Sequence, residues 1–225
     1  HLEPRVQGLQ PAAASRRFPS YLAPAMTQLP ELPLTLSRQE IRKMIRQRRR
    51  ALTPEQQQEM GQQAATRMMT YPPVVMAHTV AVFLSFDGEL DTQPLIEQLW
   101  RAGKRVYLPV LHPFSAGNLL FLNYHPQSEL VMNRLKIHEP KLDVRDVLPL
   151  SRLDVLITPL VAFDEYGQRL GMGGGFYDRT LQNWQHYKTQ PVGYAHDCQL
   201  VEKLPVEEWD IPLPAVVTPS KVWEW

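Results

Sequence analysis

Cysteine is almost absent from this chain: Cys198 is the only one in 225 residues. That excludes an internal disulfide and any cysteine-based zinc cluster, and it suits a reducing, cytoplasmic setting. An excess of one charge is missing too. The net charge is +1 with 21% charged residues, so nothing in the bulk electrostatics points to nucleic acid. No apolar run is long enough for a membrane span, and none has the continuous core of a signal peptide. The seven histidines are scattered, with no H-E-x-x-H and no paired ligand spacing. Two common phosphate fingerprints are also absent. No Gly-Lys is followed by Ser or Thr, as a Walker loop requires. The pattern G-x-G-x-x-G fails because Phe176 stands where the third glycine belongs.

Glycine is scarce except in one place. Four of the eleven glycines fall within the five residues Gly171 to Gly175. An apolar run, Val155 to Phe163, feeds this segment, and a helix-like pattern, Phe176 to Trp184, leaves it. A strand, a glycine-rich turn and a helix start in that order form an anion-binding site. Glycines let the backbone approach a ligand, and free N–H groups with the helix dipole favour negative charge. Arg169 enters the turn and can meet phosphate; Asp178 leaves it and can hold a divalent metal that phosphate shares. The competing reading is a flexible surface loop. Three adjacent glycines cost folding entropy, which disfavours a loop without a ligand. His196-Asp197-Cys198 follows a strand-like run without a partner motif and reads as incidental to catalysis.

Hydrophobic content of 44% supports one α/β domain with an extension. Residues 1–36 stand apart: Pro4, Pro11, Pro19, Pro24, Pro30 and Pro33 interrupt a segment with no sustained period. This part is expected to be a disordered or non-native extension. Arg5, Arg16 and Arg17 with few acids weakly resemble a transit peptide. His1 in place of Met suggests a processed product or a fragment, with Met26 a candidate natural start.

Residues 37–225 read as one domain. Ser37-Arg38-Gln39-Glu40 is a capping box that opens a helix running to about Ala51. On it Arg38, Arg42, Arg46 and Arg49 share one quadrant beside an apolar arc of Ile41, Met44, Ile45 and Leu52. Thr53-Pro54-Glu55-Gln56 starts a second helix, which ends before Tyr71-Pro72-Pro73. Strand and helix patterns then alternate. Strands are expected at Thr79 to Phe86, Arg105 to Leu111, Leu119 to Tyr124, within Leu153 to Phe163 and at Pro191 to Ala195. Helices are expected at Thr92 to Ala102 and Phe176 to Trp184. Val216-Val217-Thr218 reads as an edge strand because prolines flank it. The alternation implies a three-layer, Rossmann-like α/β fold: a mostly parallel central sheet with helices on both faces. Ligands in such sheets sit beyond the strand C-termini, so Phe86-Asp87-Gly88-Glu89 and the glycine loop are expected to share one crevice.

Four segments together resemble the 5-formyltetrahydrofolate cyclo-ligase (methenyltetrahydrofolate synthetase) family. They are the basic helix ending Arg48-Arg49-Arg50-Ala51-Leu52, Phe83 to Thr92, the glycine loop from Ala162 to Asp178, and Leu204-Pro205-Val206-Glu207-Glu208-Trp209-Asp210. The resemblance implies ATP- and magnesium-dependent closure of 5-formyltetrahydrofolate to 5,10-methenyltetrahydrofolate through a phosphorylated formyl group. ATP is then a co-substrate. Arg38 and Arg42 match positions that contact its phosphates, and Arg169, Leu170, Gly171, Met172, Gly173, Gly174, Gly175, Phe176 and Tyr177 match the nucleotide loop. Glu89 matches the folate-binding carboxylate, with Leu84, Phe86 and the loop from Met172 to Phe176 around the pterin. Asp178 and Asp210 match the acids associated with magnesium, and Arg169 and Asp178 are the residues expected to act in the chemistry. Against the family pattern, Met172 and Gly174 stand where many relatives carry basic residues. Arg38 stands where some relatives have lysine, and Pro214 and Pro219 stand where acids are common.

The resemblance further implies a monomer taking a small folate, polyglutamylated or not, without nucleic acid or membrane as partner. Two other readings stay open at this point: a protein that sequesters 5-formyltetrahydrofolate with little turnover, and a nucleotide or sugar-phosphate enzyme on a similar sheet.

Overall fold

A computed structural model describes residues 36–225. The extension expected over residues 1–36 lies outside the described residues apart from Leu36. Helix α1 spans Arg38–Arg50. The Ser37 hydroxyl accepts from the Glu40 N–H at 3.0 Å, and the Glu40 carboxylate accepts from the Ser37 N–H at 2.8 Å. Helix α2, Pro54–Thr70, repeats the device with Thr53 and Gln56. Proline follows at once, yet the chain does not leave helical geometry for long. Helix α3, Pro72–Met76, begins on Pro72, where a missing N–H costs nothing.

The next elements are β1 (Thr79–Ala81), α4 (Gln93–Arg101), β2 (Arg105–Leu111) and β3 (Leu119–Tyr124). A hairpin of β4 (Leu130–Met132) and β5 (His138–Pro140) leads to β6 (Val147–Leu148) and β7 (Val155–Thr158). Strands β8 (Ala162–Asp164) and β9 (Arg169–Leu170) precede the glycine loop, and helix α5 (Phe176–Leu181) follows it. Strands β10 (Gln190–Tyr194), β11 (Leu200–Val201), β12 (Ala215–Val217) and β13 (Val222–Glu224) complete the chain.

Eight strands form the central sheet in the order β13-β12-β10-β7-β1-β2-β3-β6. Neighbours from β12 through β2 are parallel; β13, β3 and β6 join antiparallel. Side chains alternate between the two faces, as strand geometry requires. Val80, Val106, Ile157 and Val217 pack beneath α2, α3 and α4, while Ala81, Tyr107, Leu156 and Val216 face the other way. That second face is covered by α5 and by a small sheet of order β11-β8-β9. Helix α1 lies on the small sheet: Ile41 and Ile45 are fully buried against Val161, Ala162, Leu170 and Val201. Burying each isoleucine stabilises this docking by about 1.5–3 kcal/mol. The architecture is the expected three-layer α/β fold around a mostly parallel sheet.

One local expectation is refined and two are corrected. The strand expected within Leu153 to Phe163 is present, but the apolar run holds two strands. The run breaks at Pro159, so β7 belongs to the central sheet and β8 to the small one. The strand expected to reach Phe86 ends at Ala81, although the Val82 N–H still donates to the Tyr107 carbonyl at 2.9 Å. Val216 and Val217 are not at an edge, because β13 returns antiparallel outside β12. Pro214 and Pro219 sit just beyond the strand ends and leave its ladder intact.

Candidate active site

A cavity of about 640 Å³ opens beyond the C-terminal ends of β1 and β7. Arg38, Arg42, Leu84, Phe86, Glu89, Arg169 and every residue from Gly171 to Asp178 line it. The turn after β1 and the glycine loop therefore share one crevice. Leu170 and Asp210 do not line it. Leu170 is 1% exposed and anchors the loop from below in the Ile41 cluster. Asp210 stands behind Arg38.

At one end of the cavity, Asp87 (φ 53°) and Gly88 (φ 78°) take consecutive left-handed conformations. The Glu89 N–H donates to the Phe86 carbonyl at 3.1 Å, closing a tight turn. The Glu89 carboxylate accepts from the Phe86 N–H at 3.0 Å. Burial pushes its pKa up to about 7, against the opposing pull of that N–H and of Arg49. The last turn of α1 holds this turn in place. Arg50 donates to Asp87 at 2.7 Å, and the buried Arg49 lies 3.8 Å from the other Asp87 oxygen. A side chain at Gly88 would meet the Arg49 Cβ at 3.2 Å, so the close approach needs glycine. The Gly88 carbonyl accepts from Gln57 at 3.1 Å and from the His196 Nε2–H at 3.2 Å.

At the other end, Arg42 donates through Nε to the Gly171 carbonyl at 2.7 Å. Arg169 donates through Nε to the Pro159 carbonyl at 2.9 Å and lies over the Tyr177 ring, 5.5 Å from its centroid. Both guanidinium groups are buried, which lowers their pKa, but an arginine keeps its charge under such a shift. Between them, the main-chain N–H groups of Met172 through Asp178 make no hydrogen bond among the described residues. A run of unbonded N–H donors, exposed from Met172 to Gly174 and half-buried from Gly175 to Asp178, flanked by two cations, suits an anion.

The two acids expected at a metal differ. One Asp178 oxygen accepts from the Ile211 N–H at 3.2 Å and lies 3.7 Å from Arg169, while the second carries no hydrogen bond among the described residues. Asp210 is engaged on both oxygens: Arg38 donates at 2.9 and 3.2 Å, and the Glu207 N–H at 2.8 Å. Among the described residues no group of three or more His, Cys, Asp or Glu could hold a metal. Asp178 thus fits a magnesium ion that draws its remaining ligands from phosphate and water. Asp210 fits as the residue that fixes Arg38.

The sequence reading missed several lining residues. Trp209 is 62% exposed at the cavity rim. The hairpin of β4 and β5 contributes Asn133, Ile137 and Glu139. Glu139 fastens it by accepting from the Leu111 N–H at 3.1 Å and from Asn133 at 2.9 Å. The turn Asn133-Arg134-Leu135-Lys136, polar except for Leu135, between two short β-prone runs was the available signal. Cys198 is buried and its thiol is pushed up to about 11, so it stays protonated.

Known proteins resemble this one in sequence and in shape. Residues 35–219 match the 5-formyltetrahydrofolate cyclo-ligase family. A 5-formyltetrahydrofolate cyclo-ligase of Haemophilus influenzae is 53% identical over 179 residues, covering 80% of this chain and 96% of its own. One from Mycolicibacterium smegmatis is 31% identical, covering 82% of this chain and 95% of its own. The solution structure of Aquifex aeolicus 5,10-methenyltetrahydrofolate synthetase superposes with a TM-score of 0.71 at 28% identity, covering 83% of this chain and 92% of that one. The crevice, the strand order around it and these matches lead to one conclusion: the chain belongs to the 5-formyltetrahydrofolate cyclo-ligase family.

Proposed function

We propose that this enzyme closes 5-formyltetrahydrofolate to 5,10-methenyltetrahydrofolate and hydrolyses ATP to ADP and phosphate in doing so. The observation that carries the reading is a single cavity with a carboxylate at one end and a cationic, N–H-lined loop at the other. Glu89 accepts hydrogen bonds from the flat donor array of the pterin, with Leu84 and Phe86 as its apolar walls. Arg42, Arg169, Arg38 and the N–H groups of the glycine loop hold the triphosphate. In this reading the γ-phosphate lies beside the formyl group on N5.

A formamide oxygen is a poor leaving group. Transfer of the γ-phosphoryl group to that oxygen releases ADP and turns it into a good one. N10 then attacks the formyl carbon and loses its proton, and the carbon–oxygen bond breaks with release of phosphate. The product is the N5–N10 methenyl cation. The chain contributes position and charge: Arg169 and Arg42 stabilise the transferring group. Asp178 would hold magnesium, which neutralises phosphate charge when bound.

The test is the gain of methenyl absorbance from 5-formyltetrahydrofolate with and without ATP and magnesium. Product formation that needs both supports the reading. Folate binding without ATP-dependent product would overturn it in favour of sequestration.

A further inference from the structure

Arg179 has no part in the function described so far, yet its surroundings are unusually specific. It donates through Nε to the Gly117 carbonyl at 2.6 Å and through Nη2 to the Gly174 carbonyl at 2.5 Å. Gly117 belongs to the turn between β2 and β3; Gly174 lies in the glycine loop. The guanidinium also rests on the Phe176 ring, 5.4 Å from its centroid. No acid pairs with Arg179 among the described residues. Two glycines exist around this contact. A Cβ at Gly117 would fall 2.8 Å from Nη2, and a Cβ at Gly175 would fall 2.7 Å from Nη1. Both positions are left-handed, at φ 85° and 72°.

We propose that Arg179 is a positioning residue that latches the glycine loop to the β2–β3 turn and so sets the loop shape that receives phosphate. The inference rests on the ATP reading above. A loop whose N–H groups from Met172 to Asp178 are unbonded has no internal hydrogen bonds to define its shape. Arg179 on the Gly174 carbonyl, together with Arg42 on the Gly171 carbonyl, supplies the definition from outside and engages oxygen atoms that would otherwise repel a phosphate. A charged donor to two carbonyls is a stronger restraint than a neutral one, and the planar fork fixes the angle between the two loops.

Two variants and two readouts test it. Arg179→Gln should raise KM for ATP about tenfold, as expected for losing charge-assisted hydrogen bonds, with KM for folate changed less than twofold. Arg179→Lys should recover part of the loss. In nucleotide-free protein, the heteronuclear NOE of Gly117, Gly173 and Gly174 should fall together in Arg179→Gln, reporting faster motion of both segments. Gly117→Ala adds a Cβ where the guanidinium sits, outside the cavity lining. It should raise KM for ATP in the wild-type background and much less in the Arg179→Gln background, a non-additivity that marks one shared contact. A raised KM with unchanged NOE values would overturn the latch and make Arg179 a direct phosphate ligand. Strict additivity, or equal loss of ATP and folate affinity, would overturn it as well. If the wild type needs no ATP, the function reading fails, while the NOE result still decides the latch.

Discussion

Glu89 is pushed to about 7 because burial outweighs the Phe86 N–H and Arg49. Below that pH its carboxyl group carries a proton and, in the proposed folate site, would present a donor to the pterin donors. The expected outcome is that kcat/KM for folate rises with pH up to about 7 and then levels. Glu89→Gln should lose this limb and bind folate more weakly by about 2 kcal/mol. A pH profile of both proteins checks this; a limb that survives the substitution belongs to another group. Asp178 invites a second test. Asn at this position keeps the shape and loses the charge, so Asp178→Asn should reduce turnover strongly and raise the magnesium requirement while folate binding holds. Turnover measured against magnesium concentration separates this from a role limited to accepting the Ile211 N–H, which would leave the two curves superimposable.

Among the elements, α1 reaches both ends of the site. Arg38 and Arg42 lie at the glycine-loop end, and Arg49 and Arg50 grip the turn before Glu89 through Asp87. A basic quadrant on a capped amphipathic helix reads, by periodicity alone, as a solvated face. It is not one, since Arg42 is 7% and Arg49 is 1% exposed. The glycine loop and the turn at Asp87 come from distant sequence and cover that quadrant, which helical spacing cannot reveal. Arg42→Ala should raise KM for ATP ten- to a hundredfold, a loss of about 1.5–3 kcal/mol, with folate affected less. Steady-state kinetics in each substrate checks the split. The capping boxes were legible because they are local: Ser37 with Glu40, and Thr53 with Gln56. The edge assignment of β12 failed because β13, five residues further on, pairs outside it.

For the whole molecule, His196 and Glu89 make pH act on stability in opposite senses. His196 is fully buried and its pKa is lowered to about 4 by loss of solvation. The unfolded chain therefore binds its proton first. The stability this group contributes is present above about 6.5 and is lost as the pH falls toward 4, a change of roughly 3 kcal/mol at most. Glu89 runs the other way. Its raised pKa contributes stability that is present below about 4.5 and is lost as the pH rises through about 7. Between pH 7 and 5 the two effects partly cancel. Glu89→Gln removes one of them, so the variant should lose more thermal stability on acidification from pH 7 to 5 than the parent does. Thermal unfolding at the two pH values measures this, and equal losses would sink the assignment. We also expect that deleting residues 1–33 leaves turnover nearly unchanged, since the family match begins at residue 35; the assay above reads it directly.

The sequence by itself determined the α/β class, the two capped helices and the place of the glycine loop. Each of these depends on residues close together in the chain: a hydrophobic period, a cap, a cluster of glycines. Tertiary structure alone decided which backbone groups end up unbonded and which charges end up buried. Pro159 sends one apolar run into two sheets. Asp210 is held on both oxygens by Arg38 and the Glu207 N–H, and Arg179 ties Gly174 to Gly117 across 62 residues of chain from the turn to the arginine. The physical reason is that hydrogen bonding and desolvation depend on distance in space, and no local pattern encodes which remote carbonyl or carboxylate will arrive.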